Sequence, residues 1–150
     1  MNRDELLAID DALAAECRLD FFKATGNGGQ KRNKTSSAVR ITHLPTGIQV
    51  TDCSEQSQHR NRLNAFEKLK LEIAFTVRQP YAGPPENAPK PVVLAHLFDL
   101  LSECGWDLPR AAEKLGVANS KLLKILARDP QWLTRLNEFR VKAGMGVLHA

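Results

Sequence analysis

The chain has 150 residues, which suffices for one domain or for a small domain with an appended unit. Its hydrophobic content of 43% is typical of a globular protein, and no apolar run reaches the roughly 18–20 residues of a membrane-spanning helix. The N-terminus lacks a signal-peptide or Arg-rich transit pattern, so we expect a cytoplasmic protein without a membrane partner.

The net charge of +4 is unevenly distributed along the chain. Nine basic and three acidic residues lie between Lys23 and Lys70, and eight basic and three acidic residues lie between Arg110 and Lys142. Localised basic surface indicates contact with phosphates, although a solvated basic face without a partner would have the same composition. Both stretches are therefore candidate nucleic-acid contacts.

The cysteines are too far apart to indicate a metal site or a disulfide framework. Cys17, Cys53 and Cys104 form no CxxC pair, and the four histidines are not clustered. We therefore predict reduced thiols, no metal and no cofactor.

The first half of the chain predicts an α+β domain over residues 1–79, in which a small antiparallel β-sheet packs on a long helix. Alternating apolar residues predict the strands, and Pro45 and Gly47 fit a β-turn between two of them. Ser57 is suited to cap the long helix, and Pro80 ends it. The predicted elements are a helix at about 4–16, strands at 18–25, 37–43 and 48–52, and a helix at 57–77.

Apolar periodicity also predicts which side chains form the core of this domain. The residues expected there are Val39, Ile41, Ile48 and Val50 in the sheet and Leu63, Phe66, Leu69 and Ile73 on the long helix.

The second half of the chain predicts a linker at 80–91 followed by a small all-α, helix-turn-helix-like unit at 92–150. The linker contains five prolines, a composition typical of a semi-rigid spacer. Proline and capping residues then mark successive helix starts. The starts are predicted near Pro91, at Asp107, at Asn119 or Ser120, and at Asp129.

The pattern around Gly116 is similar to a helix-turn-helix. Small residues such as Ala111 and Ala112 let two helices approach, and a glycine occupies the turn. A plain helical bundle that contacts a protein would have the same pattern. Nucleic-acid binding and protein binding therefore both remain open for this unit.

The segment Gly26-Asn27-Gly28-Gly29-Gln30 lies between the first two predicted strands. Adjacent glycines adopt backbone conformations closed to other residues, and Gln30 brings one backbone N–H and one side-chain amide to the same point. A loop of this kind suits a site where bare main chain must approach a reacting ester. A Gly-Gly-Gln tripeptide alone is also common in ordinary turns.

The motifs that surround this loop resemble the GGQ domain of class I peptide chain release factors. The resemblance covers about residues 19–70, and it rests on several ordered motifs rather than on the tripeptide alone. The shared motifs are Gly26-Asn27-Gly28-Gly29-Gln30, Asn33-Lys34-Thr35, Ser37-Ala38-Val39-Arg40-Ile41-Thr42-His43, Pro45-Thr46-Gly47-Ile48, and Ser57-Gln58 with Asn61.

The resemblance implies an enzyme that hydrolyses peptidyl-tRNA within the large ribosomal subunit. In the family the glutamine is catalytic, so Gln30 would act through its backbone N–H, which stabilises the charge that develops on the ester oxygen as water attacks. Gly28 and Gly29 would provide the conformation and the clearance. The implied partners are large-subunit ribosomal RNA and peptidyl-tRNA, and we expect the protein to be a monomer.

Basic residues beside the loop are expected to bind ribosomal RNA phosphates, contacts that position a domain without reading sequence. Two positions depart from the usual family pattern, because Lys31-Arg32 follows the glutamine and Gln56 precedes the Ser-Gln pair. The residues expected to bind RNA are Lys31, Arg32, Lys34, Arg40, Arg60 and Arg62.

The chain is most similar to the short, codon-independent release factor-like proteins of ribosome rescue. Only about twenty residues precede the motif region, too few for the domains with which release factors read stop codons. We therefore expect release on stalled ribosomes or large subunits, with residues 92–150 contacting tRNA, ribosomal RNA or a rescue partner. Two alternatives stay open: a nucleic-acid-binding regulator that uses the helix-turn-helix, and a ribosome-associated factor without catalysis.

Overall fold

The computed structural model describes residues 2–23 and 37–149. These residues form seven helices and one three-stranded antiparallel sheet, so the predicted α+β class is confirmed. The chain divides into two compact units, the first within Met1–Val77 with Glu86–Val92 and the second within Arg78–Pro85 with Val93–Ala150. The predicted site residues that lie outside the described residues are Gly28, Gly29, Gln30, Lys31, Arg32 and Lys34.

The N-terminal region forms two short helices, so the single helix predicted at 4–16 is wrong. Helix α1 comprises Arg3–Ala8 and helix α2 comprises Asp10–Ala15. Ile9 separates them because its backbone is extended, with φ −121° and ψ 105°. The break lets Asp10 begin a new helix, where a carboxylate is favourable, and its Oδ1 lies 2.6 Å from Nζ of Lys70.

The sheet has the strand order β1 (Cys17–Phe22), β2 (Ala38–His43) and β3 (Gln49–Asp52). Both neighbouring pairs are antiparallel. Val39 and Ile41 of the central strand are fully buried, as predicted. The other two predicted core residues of the sheet, Ile48 and Val50, are only half-buried. They lie at or just before β3, which is an edge strand.

The turn between β2 and β3 contains the predicted glycine in a left-handed conformation, with Gly47 at φ +73°. The hydroxyl of Thr46 accepts a hydrogen bond from the N–H of Ile48 at 3.3 Å and lies 2.7 Å from Nδ1 of His43. The other ring nitrogen of this buried histidine lies 2.9 Å from Oε1 of Glu16. The imidazole therefore links the turn to the residue that follows α2.

Helix α3 (Gln58–Thr76) packs on β2 and β3 and is anchored at both ends. At its start, the hydroxyl of Ser57 accepts a hydrogen bond from the N–H of Arg60 at 3.2 Å, so the predicted cap is confirmed. Beyond its end, the carbonyl of Val77 accepts a hydrogen bond from Nη1 of the buried Arg3 at 3.0 Å. The start of α1 and the end of α3 therefore lie side by side.

The buried face of α3 differs from the prediction at one position. Leu69 and Ile73 are buried as expected and Phe66 is half-buried, but Leu63 is 51% exposed. Residues two positions apart on a helix point in nearly opposite directions, because each residue rotates about 100°. Ala65 is fully buried, so Leu63 points away from the core.

The second half of the chain contains four further helices. These four are α4 (Lys90–Glu103), α5 (Leu108–Leu115), α6 (Asn119–Ala127) and α7 (Pro130–Lys142). Among all helices in residues 2–23 and 37–149, none is both long and apolar enough to cross a membrane. Large apolar side chains buried in the second unit include Leu94, Phe98, Leu101, Leu122, Leu126 and Leu136.

In this half the predicted cap at Asp107 and the predicted helix start at Asp129 are confirmed, and the predicted cap at Asn119 or Ser120 is wrong. Asp107 and Asp129 cap α5 and α7, and each carboxylate accepts a backbone N–H of the first turn. Helix α6 instead has Ala118 at its N-cap position, with no side-chain cap bond, so neither Asn119 nor Ser120 caps it. The connection from α5 is so short that Asn119 already has helical conformation.

Backbone groups of the proline-rich segment make hydrogen bonds within the second unit. The N–H of Gln79 donates to Oδ1 of Asp99 at 3.1 Å, and the N–H of Tyr81 donates to Oε2 of Glu103 at 2.6 Å. Both acceptors lie on α4. The boundaries of the predicted linker at 80–91 stay a prediction.

Candidate functional site

The Gly-Gly-Gln segment belongs to the connection between two paired strands. Strands β1 and β2 are antiparallel, and the last pair in their register joins Phe22 to Ala38. Residues 23–37 connect these two positions, so the stretch that contains residues 28–30 leaves and re-enters the sheet at one end. We call Phe22, Ser37 and Ala38 the loop base.

Asn61 of α3 holds the loop base by hydrogen bonds. The residue is fully buried, and its Nδ2 donates to the carbonyl oxygens of Ser37 at 2.6 Å and Glu55 at 2.9 Å. Its Oδ1 accepts a hydrogen bond from the N–H of Glu55 at 2.9 Å. Both amide hydrogens and the amide oxygen are therefore used. One side chain connects the residue before β2 to the segment that leads into α3.

Asp52 stabilises the same segment from the end of β3. Its Oδ1 accepts hydrogen bonds from the hydroxyl and the N–H of Ser54 at 2.7 and 3.0 Å, and its Oδ2 lies 2.8 Å from Nζ of Lys68. Burial acts to raise the pKa of this carboxyl, but the hydrogen bonds from Lys68 and Ser54 outweigh it and lower the pKa below its usual value. Asp52 is therefore ionised at neutral pH.

Arg40 lies next to the loop base on the sheet face that points away from α3. Along β2 it alternates with the buried Val39, so the two side chains lie on opposite faces of the sheet. Phe21 pairs with Val39 and lines a pocket together with Gln58 of α3, so the Val39 face is the one toward α3. The guanidinium carbon of Arg40 lies 4.8 Å from the centre of the Phe22 ring, a cation–π contact. Its buried Nε has no hydrogen-bond acceptor among residues 2–23 and 37–149.

Arg60 and Arg62 lie on the other side of the sheet, where they flank Asn61 in the first turns of α3. Both are exposed. Nη2 of Arg62 lies 3.2 Å from Nδ1 of His59, and both residues line a shallow pocket of about 180 Å³ with Phe21. Among the predicted RNA-binding residues, the structure thus places Arg60 and Arg62 on the helix side of the loop base.

The sequence motifs include Asn61 but do not indicate this anchoring role. A signal was present, because asparagine is a poor helix former and competes for backbone hydrogen bonds. Its position inside a long predicted helix indicates a specific partner. In the part of the chain that the structure describes, no group of three or more His, Cys, Asp or Glu residues could hold a metal ion.

Comparison with protein families gives a match to the RF-1 domain family over residues 8–88, which is more than half of the chain. The match includes the sheet, the connection between β1 and β2, and α3. It therefore covers the loop base and the residues that hold it.

Curated proteins similar to this chain include peptide chain release factors of both numbered types. Peptide chain release factor 2 of Paramagnetospirillum magneticum is 50% identical over 70 residues, which cover 43% of this chain and 19% of that protein. Peptide chain release factor 1 of Paracoccus denitrificans is 57% identical over 63 residues, covering 42% and 18%. The corresponding factor of Leptothrix cholodnii is 46% identical over 80 residues, covering 53% and 22%.

The chain spans about a fifth of the length of these relatives. The family match over more than half of its residues agrees with the motif series around the Gly-Gly-Gln segment. The chain therefore belongs to the RF-1 domain family and contains the GGQ domain of class I peptide chain release factors.

Proposed function

We propose that this protein hydrolyses the ester bond of peptidyl-tRNA on stalled ribosomes or separated large subunits, in the cytoplasm and without reading a codon. The observation that carries the proposal is the position of Gly28-Gly29-Gln30 within a release factor GGQ domain. The connection that contains this segment begins and ends at the loop base, which α3 holds through Asn61.

Gln30 is the proposed catalytic residue. Its backbone N–H stabilises the negative charge that develops on the ester oxygen as water attacks the acyl carbon. The bond between the acyl carbon and the ribose oxygen breaks, water supplies the hydroxyl group of the new carboxylic acid, and the second proton of that water goes to the leaving ribose oxygen. Gly28 and Gly29 leave the main chain free of side chains, so that it fits a narrow RNA site.

Basic residues on both faces of the sheet support a position inside RNA. Arg40 lies beside the loop base on one face, and Arg60 and Arg62 lie on the helix side. A domain that enters a channel of ribosomal RNA meets phosphates on more than one side, and such contacts fix its orientation without reading bases. The same phosphate-binding role is proposed for Lys31, Arg32 and Lys34.

The codon-independent form of the proposal draws support from the helices of the second unit. The exposed cations of this unit include Lys121 and Lys124 on α6 and Arg128 at the C-cap of that helix. Ammonium and guanidinium groups bind phosphate backbones through charge, which suits docking to ribosomal RNA, tRNA or an acidic rescue partner more than discrimination among three-base codons. We expect the protein to act as a monomer.

A release assay with stalled ribosomes tests the proposal. Purified protein is incubated with ribosomes that carry labelled peptidyl-tRNA on a message with a sense codon, a stop codon or no codon in the decoding site. We expect equal peptide release from all three complexes. Gln30→Pro, which removes the backbone N–H, and Gly29→Ala should abolish release, whereas Gln49→Ala, which truncates an exposed glutamine on β3, should retain it.

Three outcomes would contradict the proposal. Equal release by Gly29→Ala and the unmodified protein would remove the main-chain mechanism. Cosedimentation with ribosomes without release would indicate a non-catalytic ribosome-associated factor. Release that requires a stop codon would contradict codon independence while leaving the hydrolysis intact.

A further inference from the structure

Helix α6 presents a stripe of basic side chains to solvent. Lys121, Lys124 and Arg128 are exposed, and their spacings of three and four residues place them on one helix face at about 100° of rotation per residue. Arg128 caps the helix and keeps helical backbone angles, with φ −59° and ψ −33°. The buried Leu122 and Leu126 occupy the opposite side. We call Lys121, Lys124 and Arg128 the α6 stripe.

The α6 stripe lies in a stretch of the sequence without acidic residues, which Glu113 and Asp129 flank. The fifteen residues from Lys114 to Arg128 include no aspartate or glutamate. Within residues 2–23 and 37–149, none of the three side chains takes part in an ion pair or a side-chain hydrogen bond. Like charges along one helix face repel each other, so a polyanion that lies along this face would stabilise the unit.

The short turn before α6 and the small buried residues of α5 are similar to those of a helix-turn-helix. Its connection to α5 is three residues long and begins at Gly116, which has φ +70°. Ala111 and Ala112 of α5 are buried, and α5 packs on α6. The second helix of such a motif is the one that projects toward a nucleic-acid groove, and here it is the helix that bears the α6 stripe.

We propose that the α6 stripe binds the phosphate backbone of double-helical RNA. Two of its three residues are lysines, whose ammonium groups act as point charges that suit phosphate contact without base readout. The choice of RNA over DNA rests on the proposed function, which brings the chain to ribosomal RNA and tRNA. Binding is therefore independent of sequence and falls steeply with salt.

Fluorescence anisotropy with a labelled RNA hairpin, in the absence of ribosomes, tests this site in the full chain. The triple variant Lys121→Ala/Lys124→Ala/Arg128→Ala should bind at least about tenfold more weakly than the unmodified protein. The slope of log affinity against log salt should decrease by about two to three, since each phosphate contact contributes about 0.7–0.9.

Single substitutions provide a matched control. Lys124→Ala and Lys142→Ala remove the same charge from exposed positions of the same unit, but Lys142 lies on α7, outside the α6 stripe. Only Lys124→Ala should weaken binding, and Lys124→Arg should restore it. Circular dichroism of each variant establishes that the helices are intact.

Four results would overturn the inference. They are no binding of the hairpin by the unmodified protein, unchanged affinity in the folded triple variant, equal losses in Lys124→Ala and Lys142→Ala, or tighter binding of a DNA duplex of the same sequence. Failure of the proposed function has a different signature. Gln30→Pro, which lacks the catalytic backbone N–H, should bind the hairpin normally, so peptide release and hairpin affinity report on separate sites.

Discussion

Nδ2 of Asn61 donates a hydrogen bond to the carbonyl oxygen of Ser37 at 2.6 Å, across 24 positions of sequence. The bond joins the first turns of α3 to the residue that precedes β2. Because the same amide also binds both backbone groups of Glu55, the orientation of the loop base depends on where α3 lies. A change on this helix is therefore expected to act on the connection that contains Gly28-Gly29-Gln30.

Substituting Asn61→Ala should destabilise the first unit by about 1–3 kcal/mol, because the carbonyl of the buried Ser37 and both backbone groups of Glu55 lose their partner. Peptide release should also fall, while ribosome binding through basic residues persists. Urea denaturation and the release assay measure the two effects. Asn64→Ala is the matched control, since its Nδ2 only approaches Oγ of Ser54 at 3.4 Å on the surface. Equal stability of the two variants would contradict the anchoring role.

The lowered pKa of Asp52 predicts that the protein loses stability in acid. Burial acts to raise its pKa, but hydrogen bonds from Lys68 and Ser54 lower it overall. A folded-state pKa below the ordinary value of 3.8 means that the contribution is fully present above pH 3.8 and disappears as the pH falls through the folded-state value.

Unfolding free energies measured from pH 7 down to pH 2 test this expectation. Asp52→Asn should flatten the acid limb of the curve, whereas Asp11→Asn, which removes an exposed carboxylate of α2, should leave it steep. Parallel curves for Asp52→Asn and the unmodified protein would place the acid-sensitive group elsewhere.

The raised pKa of the Cys17 thiol predicts that this residue is alkylated slowly in the folded protein. Burial, aided by the negative charge of Glu16, raises the pKa of its thiol from 9.0 to about 11. The reactive thiolate is then about a hundredfold less populated at pH 8 than in the unfolded chain. Iodoacetamide labelling followed by peptide mass spectrometry measures this ratio with and without denaturant. The unfolded thiol also loses its proton first, so stability should decline between about pH 9 and 11.

The left-handed backbone at Gly116 predicts that a substitution to alanine destabilises the protein through backbone strain and not through a steric clash. A Cβ added at Gly116 or at Gly146 would meet no atom within 4 Å, but only Gly116 has a left-handed backbone, with φ +70°. Gly116→Ala should therefore lower the unfolding free energy by about 1 kcal/mol, and Gly146→Ala should change it by less than about 0.5 kcal/mol. Thermal unfolding of both variants measures the difference.

The elements predicted best from sequence were those with local causes. The caps Ser57 and Asp107, the helix start at Asp129 and the turn at Gly47 follow from side-chain and backbone chemistry within a few residues, and each is present. Helix α3 begins and ends within one residue of its predicted limits for the same reason.

The errors have tertiary causes. Leu63 fits the apolar period of α3 but points away from the core, a fact that depends on what packs against the helix. The break at Ile9 coincides with the ion pair between Asp10 and Lys70, which are 60 positions apart. The hydrogen bond from Asn61 to Ser37 is also long-range. Apolar periodicity predicts the helix and the motifs indicate the family, but neither predicts that Asn61 holds the loop base.

The contact between Arg3 and Val77 brings the start of α1 and the residue after α3 together, 74 positions apart in sequence. A domain whose extremities meet can be inserted into a longer polypeptide, or joined to a new neighbour, without rearranging its interior. The release factors similar to this chain carry the matched stretch as about a fifth of their length. The guanidinium of Arg3 joins the start of α1 to the end of α3, and this closure would let the unit evolve beside different partner domains.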